Sequence, residues 1–159
     1  MKTTFRTVSI ALMGLLLATP AAIAQNETAN TIRQKVRTMR QQFNSGDFDA
    51  FFRNIAVGHR RFVSNGGLRS PPATKEILAA AARNDKANYE KGARSNLTPT
   101  SIAVQVFEST AIASYYLQGN VTNTSGETTR RLLRVTKVFV EEDGQWKQVH
   151  SHSSNILSP

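Results

Sequence analysis

The chain has 159 residues, 20 Lys and Arg against 11 Asp and Glu, a formal net charge of +9, and no cysteine. That length suits one domain with a real core, and a disulfide scaffold is excluded, so packing alone must hold the fold. The positive charge is dispersed and not interleaved with aromatics, which excludes a nucleic-acid-binding block and points to solvated faces with some affinity for anions.

The first 24 residues differ in character from the rest. Lys2 and Arg6 precede a small and apolar run from Ile10 to Ala18, and Pro20 and Ala22-Ile23-Ala24 follow it. This is the order of a secretory signal peptide cleaved before Gln25. A membrane anchor needs about 20 apolar residues, and Thr19 and Pro20 end the run short of that. The expectation is an exported protein, periplasmic or secreted, with a signal peptide at 1–24, a domain at 25–159, and no membrane span after cleavage. Cleavage removes two positive charges and no acid, leaving a net +7.

Within the domain, Ile32, Val36, Met39 and Phe43 recur at helical spacing over residues 27–44, and Asn44-Ser45-Gly46 ends that helix. Asp47 then caps a short helix that buries Phe48, Phe51, Phe52 and Ile55. A short strand is expected from Arg60 through Ser64, with Asn65-Gly66-Gly67 as its turn. Ser70-Pro71-Pro72 opens a third helix to about Lys91, with Ile77, Leu78, Ala81 and Tyr89 inward. After Leu97 the pattern is sheet: a strand through Ile102, Val104 and Val106, a second over Ala111–Val121, and a third over Glu127–Glu142. An Asp143-Gly144 hairpin leads to a last strand from Trp146 to Ser154. Helices first and an antiparallel meander second make an α+β domain with helices on one sheet face.

The run from Arg134 to Ser154 is a valine-rich strand that turns at Asp143-Gly144-Gln145-Trp146 and leaves through Val149-His150-Ser151-His152-Ser153. It resembles the closing hairpin of the nuclear-transport-factor-like superfamily. More narrowly it is similar to SnoaL-like proteins and to the association domain of calcium/calmodulin-dependent kinase. The resemblance implies a cone-shaped curved antiparallel sheet wrapped around an N-terminal helix, a pocket at the open end, and homodimerisation or higher assembly through the outer sheet face. It does not imply one activity, because the superfamily includes isomerases, cyclases, dehydratases, carriers and assembly domains.

The same resemblance matches basic pocket positions of the kinase association domain to Leu117, Lys137 and Ser153, of which only Lys137 is basic. Lys137 is therefore either a single-point anion anchor or an outward, solvated lysine, the commoner state of that residue. Tyr115, Arg134, Lys137 and His150 form the candidate ligand-binding set. His150, His152 and Tyr115 are the catalytic candidates, a histidine acting as base and Tyr115 or Tyr116 donating a hydroxyl; Glu108 is a possible carboxylate partner for the base. His150 and His152 share one strand face, and His59 would complete a zinc triad, but histidines bonded within the fold are the commoner arrangement. Neither a metal nor a cofactor is expected. Sequons at Asn26, Asn96, Asn120 and Asn123 matter only in a glycosylating host. The leading expectation is an exported binder of a small apolar or weakly anionic molecule in a mostly apolar pocket. The alternatives are an isomerase, cyclase or dehydratase, and an assembly module with a vestigial pocket.

Overall fold

The structure, a computed structural model, describes residues 20–64 and 67–156. Most of the expected signal segment and the expected turn residues Asn65 and Gly66 lie outside the described residues. Helix α1 runs from Pro20 to Ser45. Its stripe of Ile32, Val36 and Met39 is at most 1% exposed, and burying each such side chain contributes about 1.5–3 kcal/mol. Residues 23–27 are exposed, and Ala29 is the first buried side chain among those described.

Helix α2 spans Phe48–Arg53, and the Asp47 carboxylate accepts the Ala50 N–H at 3.1 Å, capping it as its position implies. The chain passes at once into strand β1, Ile55–Phe62. The strand was expected at Arg60; it begins five residues earlier because Ile55 opens it instead of closing the helix. Helix α3 is Lys75–Glu90, with Thr74 accepting the Ile77 N–H at 3.2 Å. The Pro71-Pro72 start is therefore corrected by one turn, since Thr74 supplies the capping oxygen. Ile77 was expected inward and is 46% exposed; Ala82 is the buried residue of this helix.

Four long strands follow: β2 Arg94–Phe107, β3 Thr110–Thr122, β4 Thr128–Glu142 and β5 Gln145–Asn155. They form an antiparallel meander, and β1 joins its β5 edge in parallel, giving the order β1-β5-β4-β3-β2. The curved sheet is thus mixed and open, and the strand expected between the second and third helices is its parallel edge, not part of the antiparallel meander. Asp143 and Gly144, with φ of +51° and +71°, make the β4–β5 hairpin that their sequence specifies. At Gly119, φ is +143° and a Cβ would overlap the Asn96 carbonyl, so β2 and β3 approach each other there only because the residue is glycine.

The core lies between α1 and the inner sheet face, where Leu97, Ala111, Ala113, Leu117, Val135, Phe139 and Trp146 meet the α1 stripe. One irregularity decides what else faces that core. Phe139 pairs with Gln148 but Val138 pairs with His150, so Val149 is an extra residue in β5. Such a bulge reverses the alternation beyond it. Trp146 and Gln148 point inward before it, Ser151 and Ser153 after it, and His150 and His152 are turned to the outer face.

Candidate functional site

The polar residues buried among the described residues are His59, Lys137 and Gln148, at 6%, 8% and 3% exposure. All three sit on the inner sheet face. Lys137 lies between Val135 and Phe139 on β4, and its cross-strand neighbours are the small Ala113 on β3 and Ser151 on β5. Its ammonium stands 5.8 Å from the centre of the Phe51 ring of α2. The expectation of an outward, solvated lysine is therefore wrong: Lys137 shares the parity of two core residues and goes in with them.

Arg40, on α1, lies within electrostatic reach of Lys137 and Tyr115. It is partly buried, packs its guanidinium 5.0 Å from the Phe43 ring, and donates to Ser95 Oγ at 3.3 Å. Burial lowers the pKa of Arg40. Burial, and then the charge on Arg40, hold Lys137 down to about 7. Tyr115, 7% exposed on β3, is the third member. Burial raises its phenol pKa, Arg40 opposing this, so its hydroxyl keeps its proton at physiological pH. Among the described residues, no acidic residue is buried with these groups, and none contributes to the field at Arg40 or Lys137. A buried cation without a counter-charge is costly, and a small anion would supply the missing charge.

Beside this cluster lies a neutral network. The Gln148 amide N–H donates to His59 Nε2 at 2.9 Å, and the Ser151 hydroxyl lies 3.3 Å from the same nitrogen. Burial first, then the charges of Lys137, Arg61 and His150, hold His59 down to about 4, so it is uncharged at neutral pH. Gln148 Oε1 is enclosed without a hydrogen-bond partner.

The sheet divides the candidate residues between its two faces. Tyr115 and Lys137 are together inside. Arg134, His150, His152 and Tyr116 are outside, on the face away from the helices. There Phe62 stacks edge-on against His150 and His152 at 6.1 and 5.8 Å, and Arg134 Nε donates to Ser154 Oγ at 2.9 Å. The outer face holds a groove of about 790 Å³ lined by residues including Tyr116, Arg134, Thr136 and His152. The expected catalytic arrangement of Tyr115 with His150 or His152 is not assembled, because the bulge at Val149 puts the sheet between them. The same bulge separates His59 from the other histidines. Among the described residues, no three His, Asp or Glu side chains gather as metal ligands. Glu108 is exposed in the β2–β3 turn and bonds neither histidine.

Reasoning from the sequence missed Arg40 and Gln148, and weighed His59 only as a third zinc ligand. For Arg40 a signal existed: it falls four residues after Val36 and three before Phe43, on the flank of the apolar stripe. His59 preceded the expected strand start, and Gln148 drew no notice between Trp146 and His150.

The model of the SnoaL-like domain matches residues 32–158, nearly all of the described chain. The chain belongs to the SnoaL-like family. No curated protein is significantly similar in sequence. Among solved structures, the association domain of CaMKII from C. elegans superposes with a TM-score of 0.65 at 18% identity, covering 83% of this chain and 98% of that one. An NTF2-like protein of unknown function from Pseudomonas putida gives 0.64 at 16% identity, covering 84% and 89%. A putative CaMKII association domain from Xanthomonas campestris gives 0.64 at 13% identity, covering 81% and 88%. At these identities the likeness is one of fold, and the activity of the SnoaL-like domain must be argued from its own residues.

Proposed function

We propose that this SnoaL-like domain binds a small molecule between the helices and the inner sheet face, with the ligand's anionic end at Lys137 and Arg40. One observation carries the reading: Lys137 is buried with no carboxylate beside it among the described residues, and the charge of the half-buried Arg40 reaches it. Phe51 beside Lys137, with Ile102 and Val104 at the edge of the core, offers an apolar wall for the rest of the ligand. This favours the weakly anionic end of the expected ligand range, and the cluster holds no general base of the carboxylate kind. Thermal-shift titration with short- and medium-chain carboxylates tests it. Wild type should be stabilised, and Lys137→Met and Arg40→Met should each lose most of that stabilisation. Equal shifts in all three proteins would reject it.

The export expected from Lys2, Arg6 and the Ile10–Ala18 run belongs to the same proposal. Cleavage before Gln25 would remove residues 23 and 24, which are exposed, and would leave Ala29 and the stripe of α1 intact. Among the described residues, no helix is long and apolar enough to cross a membrane. N-terminal sequencing of protein recovered from the cell envelope or medium should begin at Gln25; an intact Met1 in a soluble cytoplasmic fraction would reject export.

A second reading, compatible with the first, is self-assembly through the outer face. Phe62, Tyr116 and Leu132 are 41%, 48% and 41% exposed there, and two of the similar structures are association domains by name. A homodimer in sedimentation analysis, weakened by Tyr116→Lys, is the expected result; a monomer at all concentrations would reject it.

A further inference from the structure

We propose that the seam between α1 and the free edge of β2 receives an extended acidic segment of a partner protein, which adds to β2 as a strand and sets its carboxylates against Arg33 and Arg37. The inference is independent of the anion-binding reading of Lys137.

β2 ends the sheet, with β3 on one side and no strand on the other. Two grooves of about 530 and 510 Å³ run between that strand and α1. Consecutive residues of β2 line them, Val104 to Phe107 in the first and Leu97 to Pro99 in the second. Side chains alternate between the two faces of a strand, so grooves lined by every residue in turn look onto its edge, where the backbone groups lie. That edge is weakly defended. Residues 95–107 hold no charged side chain, and Phe107 is 57% exposed. Pro99 and the register shift between Thr100 and Ala103 guard the middle of the strand and leave Val104–Phe107 open.

The opposite wall is α1. Arg33, Arg37, Arg40 and Asn44 recur at spacings of four, three and four, each one residue beyond a member of the apolar stripe Ile32, Val36, Met39 and Phe43. They form a second stripe alongside the first, and all four line the grooves. No acidic residue lines either groove among the described residues. Arg40 is engaged with Ser95 Oγ, and Arg33 donates one N–H to Asn30 at 2.7 Å. Arg37 is exposed and makes no hydrogen bond among the described residues. Asn44 shows what the edge accepts. Its side-chain amide donates to the Leu97 carbonyl at 2.8 Å, as the N–H of a neighbouring strand would, while its Oδ1 has no hydrogen-bond partner.

The spacing sets the chemistry of the partner. Arg33 and Arg37 are separated by a rise of about 6 Å along the helix, and same-face side chains of a strand repeat about every 6.6 Å. A strand with acids at alternate positions therefore meets both guanidiniums, and β-branched residues between the acids keep it extended. Its backbone completes the ladder at the β2 edge, and its charge selects this seam. A second copy of this chain fits poorly, because β2 itself would bring no acid to the arginines.

Fluorescence anisotropy with a labelled, acetylated octapeptide alternating Glu with Val and Thr tests the proposal, together with hydrogen exchange of the β2 amides. The protein should bind the peptide, and exchange over residues 104–107 should slow. A peptide with Lys in place of every Glu should fail to bind, and so should one with two consecutive prolines at its centre, which breaks the ladder in either register. Arg33→Glu/Arg37→Glu should weaken the Glu peptide roughly tenfold or more, since both exposed pairs are lost and reversed, and should gain binding of the Lys peptide. Lys137→Met should bind the Glu peptide as wild type does, so that failure of the interior anion site and failure of the seam are read separately. Equal binding of the Glu and Lys peptides would overturn the acidic partner. Tolerance of the prolines, or binding without slowed exchange at 104–107, would overturn strand addition. Slowed exchange of that edge in the protein alone, through a dimer, would seat a second copy on the seam and overturn the proposal.

Discussion

Replacing Lys137 by methionine keeps the length of the side chain and deletes its charge, and the structure sets the pH signature that should follow. The folded protein holds this amine at about 7, well below the ordinary lysine value it regains on unfolding. Between those values the unfolded chain binds a proton that the folded chain does not, so stability rises with pH across the window. Below pH 7 both states are protonated and the wild type bears the full cost of a buried ammonium. Each pH unit in the window contributes about 1.4 kcal/mol, which makes the change on the order of 3–5 kcal/mol between pH 7 and 10. Lys137→Met has no such proton. It should therefore exceed wild type in stability most at pH 6, by an amount of that order, and converge on it toward pH 10. Urea denaturation of both proteins at pH 6, 7, 8, 9 and 10 measures the difference. A difference that stays constant over the series would refute the burial of Lys137.

Other residues give independent checks. His59, held down to about 4, should make wild type lose stability as pH falls from 6.5 toward 4, since unfolding then takes up a proton; His59→Phe should flatten that limb in urea melts. Trp146, 8% exposed in the core, should cost about 3–5 kcal/mol on replacement by alanine, and an unchanged urea midpoint would place it on the surface. Gly119→Ala should lose about 1–3 kcal/mol from backbone strain alone, with further loss from the Asn96 overlap, seen as a lowered melting temperature. The double variant His150→Gln/His152→Gln should fold and bind carboxylates as wild type does, because both rings lie on the outer face; loss of binding with stability intact would move the site to that face.

The elements that were legible in the sequence were those with one unambiguous period. The α1 stripe, the Asp47 cap and the Asp143-Gly144 turn all depend on local chemistry, and each is where that chemistry puts it. The interior of β4 was less legible because Val138 and Val140 make its outer face as apolar as Val135 and Phe139 make the inner one. Alternation alone then assigns Lys137 to neither side. The bulge at Val149 was illegible for a different reason. An extra residue leaves no mark in a strand whose neighbours are all of strand-forming or small polar type, yet it reverses the face of every residue beyond it. The electrostatic coupling of Arg40 to Lys137 depends on packing α1 across β2 and β3, and joins residues about a hundred positions apart in the chain. No local pattern encodes it.

The central claim is that an anion sits against Lys137, and the proton that such an anion would bring with it is the direct test. At pH 8 the free protein carries Lys137 mostly as the neutral amine. A carboxylate bound beside it favours the ammonium and returns the group toward its ordinary range. Calorimetric titration of butanoate at pH 8, in two buffers of different ionisation enthalpy, should show uptake of close to one proton per ligand bound. The uptake should vanish in Lys137→Met and shrink in wild type at pH 6. Binding with no proton exchange at pH 8, or no binding in either buffer, would contradict the claim.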